Sequence, residues 1–273
     1  MNRTLKSFLL HAALIVGAAL TLFPLFWMLS ASFMANGEAT TFPPHLIPHA
    51  ATLDQYRQLF TRLSLGRAFF SSAFVASMVT IFSVLFNSMA GYAFAKLRFG
   101  GRDRIFGFLL AALVIPPQVG MLPLFLLMKQ LHLVNSYWGA IIPSLATVFG
   151  VFLIRQFMLD VPQELLEAAR LDGASELRIY WSVVLPLARP ILATLATFMF
   201  MSTWNDFMWP LIILSDQSHY TLPVALANLS GEHVQDLELM MAGSVVTVLP
   251  VLLLFVFLQR YYIAGLMAGS VKG

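Results

Sequence analysis

The sequence has no cysteine, which excludes disulfide frameworks, thiolate metal sites and thiol redox chemistry. Charge is scarce: Asp, Glu, Lys and Arg make up 11% of the 273 residues, against about a quarter in a soluble domain. No glycine is followed directly by lysine, so the phosphate loop G-x-x-x-x-G-K-[ST] is missing and the chain is not expected to hydrolyse ATP itself. Neither a low-complexity tract nor an obvious internal repeat occurs. The alternating segments of about ten residues that build a membrane β-barrel are also missing. The histidines are dispersed, with His11, His132, His219 and His233 far apart. His45 and His49 have a helical metal-site spacing, but Pro43, Pro44 and Pro48 oppose a helix there and no third ligand stands near. No nucleophile and base are paired in a recognisable pattern.

What the chain has in abundance is apolar surface, with 59% hydrophobic residues. Six stretches are long enough to cross a bilayer, at 7–37, 68–95, 105–128, 130–154, 190–215 and 239–259; a span needs about 20 mainly apolar residues. Helices are expected because a helix satisfies its own backbone polar groups in lipid. The expected fold is therefore an all-α integral membrane protein with six transmembrane helices. Arg3 and Lys6 give the N-terminus a basic start, but the apolar run behind them exceeds the 7–15 residues of a signal core, so a retained first span is expected.

The basic residues give the orientation. With six spans, one side holds Arg3, Lys6, Lys96, Arg98, Arg102, Arg104, Arg155, Arg170, Arg178, Arg189, Arg260 and Lys272. The other holds only Arg57, Arg62, Arg67 and Lys129. This bias puts both termini and the 158–189 segment in the cytoplasm. The 216–238 loop has four acids and no Lys or Arg, which suits the outer face. Outside, "FPPHLIP" predicts an extended loop and "LDQYRQLF" a short surface helix. The 129–139 stretch reads as an outer turn, with Tyr137 and Trp138 as interface anchors and Trp204 and Trp209 in the same role.

One stretch, "ELLEAARLDGASELRIYWSVVLP" (164–186), breaks the apolar pattern with six charges. Asp160 before Val161-Pro162 predicts an N-cap with proline in the first turn. Gly173 predicts a left-handed helix end, Ser175 a second cap, and Pro186 the kink into the fifth span. The pattern is helix, glycine bend, helix. Glu164 and Glu167 share a side, Ala168 and Ala169 leave room for close approach, and Leu165, Leu166 and Leu171 can face the bundle or a partner. A lipid-surface helix favours Lys and Arg on its polar face. Here Glu164, Glu167, Asp172 and Glu176 outnumber Arg170 and Arg178, which favours docking to a protein.

This stretch resembles the EAA motif of ABC importer permeases. Glu167-Ala168-Ala169 is followed after three residues by Gly173, and after nine more by Val183-x-Leu185-Pro186, with Val183 in place of isoleucine. "AGYAFAKLRF" (90–99), "FLIRQFM" (152–158), "WNDFMWPL" (204–211) and "GSVKG" (269–273) are similar to the carbohydrate-importing, maltose-type branch. The resemblance covers nearly the whole chain. It implies a type I ABC importer permease with a cytoplasmic coupling helix between spans 4 and 5. Its parts would be a first span and outer loop at 1–67, a permease core at 68–264 with the EAA loop at 160–186, and a tail at 265–273 that reaches toward the ATPase interface.

Further expectations follow from the resemblance. Glu167 is the main polar contact to a cytoplasmic ATPase dimer and Glu164 a secondary one. Ala168 and Ala169 seat the helix, and Gly173 and Pro186 set its bends. No cofactor binds this chain, and ATP and Mg are used by the partner ATPase. The other partners are a second related permease, an extracytoplasmic solute-binding protein and the bilayer, with no nucleic acid. The location is a prokaryotic cell (inner) membrane. Asn205 is the candidate polar contact on a sugar path. Asp206 reads as an outer-interface structural acid, although an ionisable residue in a span is a functional candidate by default. Asn87 and Ser88 are read as helix–helix hydrogen bonds. Two alternatives stay open: a secondary transporter driven by an ion gradient, which tends to show coupling charges at the midplane, and a membrane-embedded enzyme, which needs convergent acids, histidines or a nucleophile within the spans.

Overall fold

A computed structural model describes residues 3–61, 64–232 and 236–270, with side chains at 6–61, 64–229 and 236–256. Arg62, His233, Lys272 and most of "GSVKG" lie outside the described residues, as do the side chains of Arg3 and Arg260. Among the described residues every regular element is helical. In chain order these are α1 (Arg3–Ala31), α2 (Asp54–Thr61), α3 (Leu65–Lys96), α4 (Arg102–Ala112), α5 (Pro117–Gln130), α6 (Tyr137–Ile141), α7 (Val148–Leu159), α8 (Gln163–Leu171), α9 (Glu176–Ile179), α10 (Leu185–Leu187), α11 (Arg189–Trp204), α12 (Met208–Ile213), α13 (Leu222–Glu232) and α14 (Leu237–Ser270). A π-helical turn, Tyr180–Val184, joins α9 to α10.

Among the described residues, four segments are long and apolar enough to cross a membrane: Lys6–Ala31, Leu65–Lys96, Tyr137–Leu159 (α6 and α7 with the turn between them) and Leu237–Val256. Two further pairs pass the same test together but are bent, α4 with α5 by 104° and the α9–α10 stretch with α11 by 82°. The third span expected at 105–128 is thus sharply bent rather than one continuous helix. Its cause is Pro116-Pro117: a proline pushes the residue before it away from the helical region, and Pro116 is extended at φ −58°, ψ 131°. The fourth span starts at Tyr137 rather than near 130, because α5 continues to Gln130 and a turn follows. The fifth stops at Trp204, with α12 as a separate short helix after it.

The chain forms two compact units. The first, Met1–Arg67 with Leu222–Pro250, contains α1, α2, α13 and the first part of α14. Here Ala31, Met34 and Ala39 form a small buried cluster against Trp27, Leu237 and Met241. Glu238, in the first turn of α14, is fully buried and accepts the Ala39 amide at 2.7 Å. A carboxylate at a helix N-terminus also meets the positive end of the helix dipole.

The second unit, Ala68–Thr221 with Val251–Gly273, holds the main core. Val75, Val79, Ile141, Ile154, Leu166, Ile179, Val184 and Leu195 are among its buried side chains. Helices α3 and α7 approach closely at Gly91, where an added Cβ would lie 2.6 Å from Ile154 Cγ2 and 3.0 Å from the Arg155 amide nitrogen. Asn87 and Ser88, both buried, make helix-to-helix hydrogen bonds as expected. Asn87 Oδ1 accepts the Thr147 amide at 2.9 Å just before α7, and Ser88 Oγ shares a 2.7 Å hydrogen bond with Tyr180 OH. Trp204 and Trp209 are not interface anchors, because both are buried. Trp204 packs edge-on against Phe69 and stacks on Phe200, and Trp209 Nε1 donates to the Gly139 carbonyl at 3.0 Å. Tyr137 is half-buried with its hydroxyl 2.7 Å from Ser71 Oγ, whereas Trp138 stays exposed.

Candidate functional site

The charged segment is built as helix, glycine bend, helix, but it starts differently from the expectation. Asp160 is not an N-cap: it lies in the helical region at φ −81°, ψ −11° and closes α7. Pro162, extended at φ −58°, ψ 133°, precedes α8, and no side chain caps that end. Proline without an N–H cannot continue α7, so the chain breaks there and restarts.

The end of α8 is a Schellman turn. Gly173 is left-handed at φ 80°, its amide donates to the Arg170 carbonyl at 3.0 Å, and the Ala174 amide donates to the Ala169 carbonyl at 3.0 Å. Ser175 then caps α9, with its Oγ accepting the Arg178 amide at 3.4 Å. The bend into α11 falls at Ala188, two residues beyond Pro186, with Pro190 in the first turn of α11. Pro190 cannot donate the backbone bond that would carry the helix straight through.

The two faces of α8 differ sharply. Leu166 is 0% exposed and joins the core with Ile179, while Ala169 packs against that core from the side. Glu164, Glu167, Ala168 and Leu171 follow the i, i+3, i+4, i+7 spacing of one helix face, and all four are exposed. Leu171, at the tip, is 90% exposed. The expected pair Ala168 and Ala169 therefore splits, one outward and one inward. The three leucines also separate: Leu166 goes to the core, while Leu165 and Leu171 stay exposed.

Not all of the acids are free for a partner. Arg170 Nε donates to Glu176 Oε1 at 2.7 Å and its Nη2 to Oε2 at 3.4 Å, while Tyr92 OH donates to Glu176 Oε2 at 2.8 Å. The half-exposed Arg170–Glu176 pair adds only about 0.2–1 kcal/mol. A hydrogen bond to a charged acceptor is worth about 1.5–3 kcal/mol, so the Tyr92 contact is the stronger tie. The Glu176 carboxylate beside it also holds the Arg170 guanidinium further toward its charged form. An open groove of about 510 Å³ beside Glu167 is lined by Lys96, Arg98, Gln163, Arg170 and Glu176.

The other named residues lie apart from this segment. Asn205 is exposed at the end of α11, with Nδ2 donating to the Met201 carbonyl at 2.8 Å. Asp206 Oδ1 accepts the Trp209 amide at 3.4 Å, so it serves the turn into α12. His45 and His49 rings meet edge-on at 4.2 Å in a stretch without helix, and His49 Nδ1 lies 2.8 Å from Glu38 Oε1. The π-helical turn and the Tyr92–Glu176–Arg170 cluster were missed from sequence. The i, i+4 run Ser88, Tyr92, Lys96 was the signal available for the cluster.

Residues 87–267 match the family model described as "Binding-protein-dependent transport system inner membrane component". The chain is 40% identical over 263 residues to the arabinooligosaccharides transport system permease protein AraQ of Halalkalibacterium halodurans, covering 94% of this chain and 93% of that one. It is 33% identical over 253 residues to the melibiose/raffinose/stachyose import permease protein MelC of Bacillus subtilis, covering 92% and 91%. Among solved structures, a chain of a bacterial ABC transporter involved in the import of the acidic polysaccharide alginate superposes with a TM-score of 0.83 at 25% identity, covering 96% of this chain and 99% of that one. The matched regions include the whole of the charged segment, and the chain belongs to the family of binding-protein-dependent transport system inner membrane components, the membrane permeases of ABC importers.

Proposed function

We propose that the chain forms one half of the translocation path of an ATP-driven carbohydrate importer in a prokaryotic cell membrane. The observation that carries this reading is the outward stripe Glu164–Glu167–Ala168–Leu171 on a helix whose opposite face is locked into the core. Such a stripe offers two carboxylates, a small residue and one apolar tip to a basic, partly apolar cleft. The ATPase is a separate chain, used as a dimer with ATP and Mg, and this chain binds neither. The twelve-to-four bias of basic residues supports a cytoplasmic side for the segment and both termini, the side of that ATPase. A second permease completes the path and an extracytoplasmic binding protein delivers solute. The solute class follows from the relatives, whose names specify arabinooligosaccharides and melibiose, raffinose and stachyose. Glu167 and Glu164 make the polar contacts to the ATPase, outward Ala168 permits close seating while Ala169 anchors the helix to the core, Gly173 shapes the bend after α8, Pro186 leads into the bend at Ala188, and Asn205 is a polar contact on the sugar path.

Uptake by the co-expressed assembly in sealed vesicles tests this reading, with radiolabelled arabinooligosaccharides and raffinose as probes. Uptake should need ATP and persist when ionophores remove the ion gradients. Uptake that runs without ATP and collapses with the gradient would return the chain to the secondary-transporter class.

A further inference from the structure

Ser88, Tyr92 and Lys96 recur every four residues and form one stripe along α3. Each of them makes a hydrogen bond to the 161–180 segment. Ser88 Oγ meets Tyr180 OH at 2.7 Å, Tyr92 OH donates to Glu176 Oε2 at 2.8 Å, and Lys96 Nζ donates to the Val161 carbonyl at 2.6 Å. The Tyr92 and Tyr180 rings also pack together, with centroids 6.0 Å apart. Glu176 binds Arg170 as well, which carries the tie across the glycine bend into α8. The segment is therefore held to α3 at its start, its middle and its far end.

The covalent neighbours offer a softer path. Toward α7 the chain passes through the extended Pro162. Toward α11 it passes through a π-helical turn and the 82° bend at Ala188, where Pro190 removes a backbone donor. Prolines and π turns are the usual sites at which a helix kinks.

We infer that movement of the docking segment enters the span bundle through α3 rather than through α11, with the Ser88–Tyr92–Lys96 stripe joining segment and α3 into one rigid piece and with Tyr92 and Glu176 as its positioning residues. This rests on the proposal that α8 docks an ATPase. The bend at Ala188 then serves as the hinge against which α11 changes angle. A ligand-driven change of this kind needs two elements with a definite joint between them rather than a continuously bending helix.

The absence of cysteine allows unique spin labels. One label replaces Leu177, exposed on α9 and outside the docking face (Leu177→Cys). The other is placed on α3 (Ile81→Cys) or on α11 (Ser202→Cys), both also exposed. Distances are read by pulsed electron resonance in the full assembly, nucleotide-free and trapped with ATP and vanadate. The α3 distance should stay within its width while the α11 distance shifts. Tyr92→Phe, which keeps the ring, and Glu176→Ala should broaden or shift the α3 distance, and Glu176→Gln, which keeps an acceptor, should restore it in part. A native α3 distance that shifts as far as the α11 distance, or an α3 distance unchanged in both variants, overturns the inference while leaving docking intact. If neither distance responds to nucleotide, docking itself is contradicted and the inference falls with it.

Discussion

Single residues decide how closely the helices of the second unit can meet. At Gly91 an added Cβ meets Ile154 and the Arg155 backbone, whereas at Gly107 it meets nothing within 4 Å. Alanine in a helix gains about 1 kcal/mol over glycine, but forcing extra volume into a packed contact costs about 1–3 kcal/mol. Overpacking wins at Gly91 and propensity wins at Gly107. Gly91→Ala should therefore lower the apparent melting temperature in detergent, and Gly107→Ala should hold or raise it. Equal shifts for the two would contradict the close approach of α3 and α7.

A second residue, Glu38 of the first unit, links the outer segment to pH. The His49 amide, donating at 2.7 Å, and then the His49 ring hold its carboxyl below the ordinary glutamate value of 4.5. Because folding favours the charged form, the stability it contributes is present above the ordinary value and is lost as pH falls through the depressed folded one. Hydrogen exchange at the His49 amide, corrected for its intrinsic pH dependence, should lose protection only in that acid window. Glu38→Gln, which accepts a hydrogen bond at any pH, should flatten the profile. A native profile that is already flat would remove the carboxylate from the account.

At the scale of elements, Gly173 sets the geometry of the docking segment. A residue with a Cβ pays about 1–2 kcal/mol in the left-handed conformation, which the buried Leu166 and Ile179 anchors can absorb. Gly173→Ala should keep the segment folded with slightly lowered stability. Gly173→Pro should break it, since proline cannot adopt φ 80° and loses the amide bond to Arg170. Limited proteolysis at 164–178 reads the difference, and equal resistance in the two variants would contradict the turn.

Much of this element was legible before the structure, because glycine and the Ser175 cap carry local signals that tertiary context rarely overrides. Leu166 against Leu171 was not legible: both fit an apolar face, and only the packed core decides which is inward. Asp160 misled for the same reason, since an acid before proline suits a helix start until α7 is seen to run up to it. The tryptophans misled because interface and core make the same demand, an apolar body with a polar tip. The third span looked continuous because its break, Pro116-Pro117, carries no charge and so does not end the uncharged run. Asn87 and Ser88 were readable because polar groups within a span must find partners among neighbouring helices.

For the whole molecule, the central claim is that a membrane permease whose sequence lacks the phosphate-loop motif draws its energy through one outward helix face. Relatives matching over nine-tenths of the chain fix the class of machine. The structure adds which residues face outward and which are committed inward. Glu176, counted from sequence among the acids available to a partner, is committed to Arg170 and Tyr92. On the proposed docking, the partner is left with Glu164, Glu167 and Asp172 among the acids, beside Ala168 and Leu171. A well-packed contact of this size concentrates its energy in a few residues, each worth about 2 kcal/mol or more on removal.

The most direct measurement is the affinity of the ATPase for the detergent-solubilised permease pair, comparing the native chain with Glu167→Ala and Leu171→Asp. The account predicts that each variant weakens binding by about tenfold or more, with the melting temperature of the permease unchanged because both side chains are exposed. Native affinity in both variants would contradict it and move the docking surface away from α8.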